Sequence, residues 1–295
     1  MIRTEPIDAP LGALASGWDP GAPLSDDDLA TLRQALADRL VVVLRGQRDC
    51  DADELAALAR QLGEPFPADE LYNIPTEVPE VLAVSNELND NGHEIGTAGS
   101  GPLPWHTDYA FLDTIARESL LNAQRVPADG GADTSYCDMY TAYETLPNDL
   151  AEKLAGRIGR YTITSENNTR LRQNHHDEDP SEAAARRLKA NPDIVYPGSG
   201  EVVEHPVEMP HPDTGRVALY VSSFSCGFVG IDDPDDAFAL TQAAMDHAIV
   251  PEHTYTHRWQ QGDVVIFDTV GTVHRREMPH SSGPRSLRQL SIKYP

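Results

Sequence analysis

Cysteine is scarce. Cys50, Cys137 and Cys226 are the only three in 295 residues, and neither their odd number nor their spacing makes a metal knuckle. No disulfide framework follows, and a reducing cytoplasm is the expected setting. Long apolar runs are missing too: nothing approaches the roughly 18 uninterrupted apolar residues of a membrane-spanning helix. The first twenty residues also lack the basic start and continuous apolar stretch of a secretion signal. Positive charge is the third shortage. Against 47 Asp+Glu stand 23 Lys+Arg, a formal charge of −24. A phosphate-binding surface needs a net basic face to release counterions, so nucleic acid is excluded as an expected partner, and an anionic membrane surface with it. What remains is a small-molecule protein in a chain long enough to bury a sizeable core.

One local inversion of charge stands out. From His274 to Pro295 there are Arg275, Arg276, Arg285, Arg288 and Lys293 against Glu277 as the one acid. An anion, if bound, is expected there. Arginine far ahead of lysine, with many alanines, points to a GC-rich bacterial genome.

Helical spacing of Leu29, Leu32, Leu36 and Leu40 after Ser25 predicts a helix over 25–39. Asp51 with Glu54 three residues later has the form of a capping box and predicts a second helix to Leu62. Residues 40–45 and 81–85 read as buried strands. Short strands at turn spacing follow over 120–126, 133–137, 161–164, 202–207, 217–222, 254–259, 264–267 and 286–294, with one late helix over 235–249. That pattern predicts one domain over 1–295, mainly β with flanking helices and a jelly-roll core. Two polar stretches, 86–104 and 165–200, exceed the usual loop length of about 12–15 residues and are read as lid loops.

Trp105-His106-Thr107-Asp108 closes the first of those stretches. On an extended chain alternate side chains share a face, so His106 and Asp108 are expected to project together. A His-x-Asp triplet needs a third ligand from a neighbouring strand. Among eleven histidines, His274 has the best context, just beyond the buried strand Gly262-Asp-Val-Val-Ile-Phe-Asp and a turn. Two imidazoles and a carboxylate leaving open positions are the facial triad of non-haem Fe(II) oxygenases.

With these residues in view, the chain resembles the Fe(II)/2-oxoglutarate-dependent taurine dioxygenase and 2,4-dichlorophenoxyacetate dioxygenase family. The likeness extends over most of the length. Residues 39–47 and 55–63 resemble the family's opening strand and helix, and WHTD at 105–108 its metal motif. Residues 127–134 running to 143–147, then 211–221, and finally GDVVIFDTVGTVH with Arg285 continue it in order. The resemblance implies a double-stranded β-helix, with His106, Asp108 and His274 as catalytic metal ligands. It also implies Thr134 and Arg285 as partners of the distal carboxylate of 2-oxoglutarate, and a homo-oligomer, since the family often forms dimers or tetramers. A guanidinium offers a planar fork to that carboxylate, and a hydroxyl adds a further bond.

In the taurine enzyme a second arginine a few residues later contacts the sulfonate. Here that position holds Gln289, and Arg288 stands one residue earlier on the opposite strand face. Taurine is therefore not the expected substrate. Tyr72, Asn73, Arg288 and Gln289 are the expected substrate contacts. The implied reaction consumes Fe(II)-bound 2-oxoglutarate and O2, oxidises a C–H bond of a small polar, acidic or amino-acid-like metabolite of a specialised pathway, and releases succinate and CO2. A Zn2+ hydrolase on the same ligands and a non-catalytic ligand-binding jelly roll are the alternatives. Dependence of activity on O2 and 2-oxoglutarate separates them from the dioxygenase.

Overall fold

The computed structural model describes residues 1–98, 101–127, 133–163, 188–276 and 283–295. Two sheets carry the architecture. The larger has seven strands in the order β1-β2-β3-β14-β6-β16-β4. They are β1 (Arg3–Pro6), β2 (Ala13–Ser16), β3 (Val41–Leu44), β4 (Leu82–Ser85), β6 (Ala116–Arg125), β14 (Val264–Asp268) and β16 (Ser286–Lys293). The smaller has the order β13-β7-β15-β5, from β5 (Leu103–His106), β7 (Thr134–Asp138), β13 (Thr254–His257) and β15 (Thr272–Arg276). All pairings in both sheets are antiparallel except β2 with β3. A three-stranded sheet, β12-β8-β9, extends the roll with β8 (Ile158–Tyr161), β9 (Val203–Pro206) and β12 (Ser225–Phe228). A hairpin of β10 (Glu208–Pro210) and β11 (Val217–Leu219) lies beside it in the chain. This is the jelly roll that the strand spacing implies.

The large sheet is apolar on both faces, which explains the continuous Val-Val-Val-Leu of β3. Val41, Val43, Val265 and Phe267 point into the core shared with Tyr136 and Cys137 of β7. Val42, Leu44, Val264 and Ile266 point the other way, into a second cluster with Leu32 and Leu36 of α1 (Asp26–Arg39) and Leu55, Leu58 and Leu62 of α2 (Ala52–Leu62). Each such side chain, fully buried, contributes about 1.5–3 kcal/mol, so a two-faced strand anchors both layers. The caps are those the sequence implies. Ser25 accepts from Asp28 N, and Asp51 with Glu54 forms the complete capping box. A later helix, Pro234–Ala248, packs Leu240, Ala244 and Met245 against the inner core.

Several expectations shift. The strand expected over 161–164 lies at Ile158–Tyr161, where β9 and β12 pair with it from both sides. Short helices at Ala68–Tyr72, Met139–Glu144 and Asn148–Leu154 were not legible, being shorter than the window in which helical periodicity can be read. The helical pattern around 183–189 falls largely outside the described residues, as do 99–100 of the first lid stretch and 165–187 of the second. Of those stretches, residues 86–98 and 188–200 meet where Glu94 N donates to Lys189 O at 2.7 Å, and Val195 N ties the second to the helix Ala68–Tyr72 by donating to Tyr72 O at 3.0 Å. No described helix is long and apolar enough to cross a membrane.

Candidate active site

β15 runs antiparallel to β5 with His274 directly opposite His106. Facing residues on paired strands put their side chains in contact, and the two imidazole rings lie 4.2 Å apart between centroids. Asp108 reaches them differently from the expected strand alternation. β5 ends at His106, and the chain turns, with Tyr109 in the left-handed region at φ 58°. A bulky residue there costs about 1–3 kcal/mol. The Tyr109 ring is buried and stacked on Phe66 at 4.6 Å, which offsets the strain. Thr107 ties the turn down by donating to Thr269 O at 2.6 Å. The turn brings Asp108 Oδ1 to 3.9 Å from His106 Nε2 and 3.8 Å from His274 Nε2. Ligand atoms of all three residues lie within 4.8 Å of one another, and all three residues are buried.

The protonation states suit a divalent cation. His106 Nδ1 donates to Pro104 O at 2.7 Å, which leaves Nε2 with its lone pair toward Asp108. Burial, with His106 adding to it, holds His274 well below the usual imidazole range, so its ring is neutral. Burial pushes the Asp108 carboxyl up, opposed by His106, Ser119 and Gln289. A buried carboxylate between two imidazoles is a donor set that a cation stabilises.

Thr134 and Arg285 open into the same cavity of about 440 Å3, together with the three ligand-type residues. Thr134 begins β7, and its hydroxyl accepts from Trp259 Nε1 at 3.0 Å, leaving its own proton to donate elsewhere. Arg285 precedes β16 and is pinned through its backbone: its N–H donates to Asn86 Oδ1 at 2.8 Å, and its carbonyl accepts from Asn86 N at 3.1 Å. Its side chain is buried, with Nε and Nη1 lacking any partner among the described residues. Burial pulls its pKa down to about 10, against the pull of Tyr136 and Asp133, so it remains cationic at neutral pH. An unpaired buried guanidinium is a costly arrangement that an anion relieves.

The four expected substrate contacts divide. Tyr72 and Gln289 line the cavity; Asn73 and Arg288 do not. Asn73 instead caps the helix Ala68–Tyr72 in left-handed conformation. Arg288 points to the outer face of β16, donating to Cys50 O at 3.0 Å and Glu77 Oε2 at 3.3 Å. Strand alternation separates it from Gln289, whose amide donates to Asp108 Oδ2 at 3.0 Å. One residue at the site was overlooked, although its signal was present. Arg276 lies two positions after His274, hence on the same strand face, and lines the cavity. Its Nε donates to Gly101 O at 2.8 Å, and its two terminal nitrogens reach Ala98 O and Gly101 O. It fastens the end of the 86–104 stretch to β15.

Among the described residues a second grouping of ligand types comprises Glu118, His211 and Asp213. His211 Nδ1 accepts from Asp213 N at 3.1 Å and Thr214 N at 3.2 Å, so in the neutral ring Nε2 carries the proton and cannot ligate. Arg117 donates to Glu118 at 2.6 Å and lies 3.6 Å from Asp213. Burial, aided by Asp268 and Asp213, nonetheless pushes Glu118 from its ordinary 4.5 up to about 7. A raised carboxyl means that the folded state holds the proton more tightly. The stability it contributes is full below 4.5 and is lost as pH climbs through about 7. Glu118→Gln is therefore expected to raise stability at pH 8 by about 2 kcal/mol and by much less at pH 5. Thermal melts at the two pH values check this, and a pH-independent difference would contradict it.

Residues 3–291 match the family described as taurine catabolism dioxygenase TauD, TfdA family. Pentalenolactone F synthase of Streptomyces avermitilis is 31% identical over 95% of this chain and 90% of its own. The alpha-ketoglutarate-dependent 2,4-dichlorophenoxyacetate dioxygenase of Cupriavidus pinatubonensis is 28% identical over 91% of this chain and 89% of its own. The crystal structure of a taurine dioxygenase from Burkholderia xenovorans superimposes with a TM-score of 0.75 at 27% identity, covering 100% of this chain and 90% of that one. These findings set aside the hydrolase and the binding-only jelly roll. The chain belongs to the TauD, TfdA family and is a dioxygenase that uses Fe(II), 2-oxoglutarate and O2.

Proposed function

We propose that His106, Asp108 and His274 hold the iron, and that Arg285 and Thr134 hold the distal carboxylate of 2-oxoglutarate. The protein would thereby oxidise a C–H bond of a specialised metabolite. The observation that carries the reading is the buried, partnerless Nε and Nη1 of Arg285, in one cavity with the three ligand-type residues. A relative from Streptomyces, named for synthesis of pentalenolactone F, supports the specialised pathway.

Each residue has a distinct task. His106 and His274 supply neutral imidazole nitrogens from facing strands, and Asp108 supplies the balancing charge from the turn. Arg285 and Thr134 fix the far end of the oxoacid, and so set which way its keto-acid end points. Bound iron supplies the oxygen activation, coupling loss of CO2 from 2-oxoglutarate to oxidation of the substrate, with succinate as co-product. Tyr72, Phe111 and Phe224 wall the space beside the triad. Residues 86–98 and 188–200, joined by the Glu94–Lys189 hydrogen bond, would serve as its cover within a single domain.

Gln289 holds the Asp108 carboxylate by Oδ2, turning Oδ1 toward the two histidines. Gln289→Leu is expected to weaken Fe(II) binding about 10- to 100-fold, as loss of a hydrogen bond to a metal ligand does. Calorimetric titration under nitrogen measures it, and unchanged affinity would remove that role. The whole reading is tested by adding Fe(II) and 2-oxoglutarate to the apo-protein without oxygen. The weak visible metal-to-ligand charge-transfer band should form, and Arg285→Ala should weaken it. Metal binding with no band would overturn the assignment of the oxoacid site.

A further inference from the structure

The protein has 6 Phe, 3 Trp and 10 Tyr in its whole length, a modest supply. Five of these rings line the cavity beside the triad. They form one connected wall, running from the cover to the proposed metal. Tyr196 meets Tyr72 edge-on at 5.9 Å, and Tyr72 meets Tyr109 at 6.5 Å. Tyr109 then meets Phe111 at 6.1 Å, Phe111 meets Phe224 at 5.1 Å, and Phe224 stands edge-on to the His106 ring at 5.7 Å. Rings locked by edge contacts present a rigid apolar surface to whatever lies against them.

Cations are otherwise committed. Among the described residues lining the cavity, the arginines are Arg276 and Arg285. Arg276 directs all three of its side-chain nitrogens at the carbonyls of Ala98 and Gly101. Arg285 is the residue assigned above to 2-oxoglutarate. Four positions later, in β16, the amide of Gln289 is turned onto Asp108. An anionic substrate would enter an aromatic-walled space in which, among the described residues, no uncommitted arginine or lysine meets it, at a desolvation cost of several kcal/mol.

We propose that the substrate is a neutral, mainly apolar, ring-bearing molecule, selected by shape against the aromatic wall and not by a charge clamp. This replaces the small acid expected from the sequence, and it rests on the reading of the metal and oxoacid site given above. The cavity of about 440 Å3 must also hold 2-oxoglutarate, so the molecule is small. Hydroxylation of such a molecule converts an unreactive C–H bond into an alcohol: substrate, O2 and 2-oxoglutarate give alcohol, succinate and CO2. The product suits a following oxidation or acyl-transfer step.

The test uses full-length protein loaded with Fe(II) and 2-oxoglutarate. Its probes are methyl adamantane-1-carboxylate, adamantane-1-carboxylate, adamantyltrimethylammonium and taurine. Perturbation of the visible band under nitrogen reports binding near the metal, and succinate release in air reports coupling. The neutral ester should bind at least tenfold more tightly than the acid at pH 7.5, with the acid gaining as pH falls toward its own pKa. Equal or tighter binding of the acid, of taurine or of the ammonium compound would overturn the proposal. So would an intact band that the ester leaves unmoved. Failure of the band to form at all would instead sink the underlying site assignment, which keeps the two failures apart.

Discussion

Asp108→Ala is expected to bring Fe(II)-dependent succinate formation below detection while leaving the apo-protein folded. The carboxylate is the one donor among the three clustered residues that can carry negative charge, the other two being imidazoles. Without it, a divalent ion loses both a bond and its charge balance. Loss of a partner that only orients a ligand costs about 10- to 100-fold in affinity, and loss of the ligand itself should exceed that. Folding should not suffer, because burial already works against the Asp108 charge. Two melts decide the matter. Wild-type protein with Fe(II) at about 100 times its dissociation constant gains about 2.7 kcal/mol by linkage. Asp108→Ala should melt like the wild-type apo-protein and gain nothing from the metal. Retained turnover in this variant, or in His274→Ala, would sink the triad.

Arg285→Met should produce opposite signs in two measurements. Truncating one side of a buried, hydrogen-bonded charge pair costs about 2–5 kcal/mol, so affinity for 2-oxoglutarate should fall roughly 30- to several-thousand-fold. The apo-protein, by contrast, should become more stable by about 1–3 kcal/mol, since a buried guanidinium with partnerless Nε and Nη1 is replaced by an apolar chain of similar reach. For a base whose folded pKa is lowered, the penalty applies in full at every pH below that value, here about 10. The gain should therefore be present at neutral pH. Titration of the charge-transfer band and apo melts at pH 7.5 measure the two effects. A variant that loses affinity and stability together would mean that Arg285 is structural.

Much of the outer framework was legible because its signals are local. The capping box at Asp51 and Glu54 needs four consecutive residues, and the helix after it follows from leucine and alanine spacing. The separation of Arg288 from Gln289 was also legible, since strand parity needs only the count of residues between them. The path by which Asp108 reaches the histidines differs from the expected one for the opposite reason. Alternation along β5 was extended two residues too far, past the point where Tyr109 adopts φ 58°. Such a conformation in a tyrosine is held by tertiary contacts, here Phe66 under the ring and Thr107 bonded to Thr269. No local pattern announces it.

By itself the sequence determined the class of chemistry. Residue type settles which atoms can bind a divalent metal, and motif order placed His106, Asp108, His274, Thr134 and Arg285 in a recognisable succession. Only the tertiary structure decided what the site leaves over. His106 meets His274 through a register between strands 168 residues apart in the numbering. The amide of Gln289 is turned onto Asp108, the guanidinium of Arg276 is taken up by backbone carbonyls, and five aromatic side chains converge from separate segments. Hydrogen-bond partners across such distances depend on packing, and packing is a property of the whole fold. Hence, of an arginine-rich C-terminal stretch that reads as an anion site, the described residues leave Nε and Nη1 of Arg285 without a partner in a cavity that five aromatic rings also line.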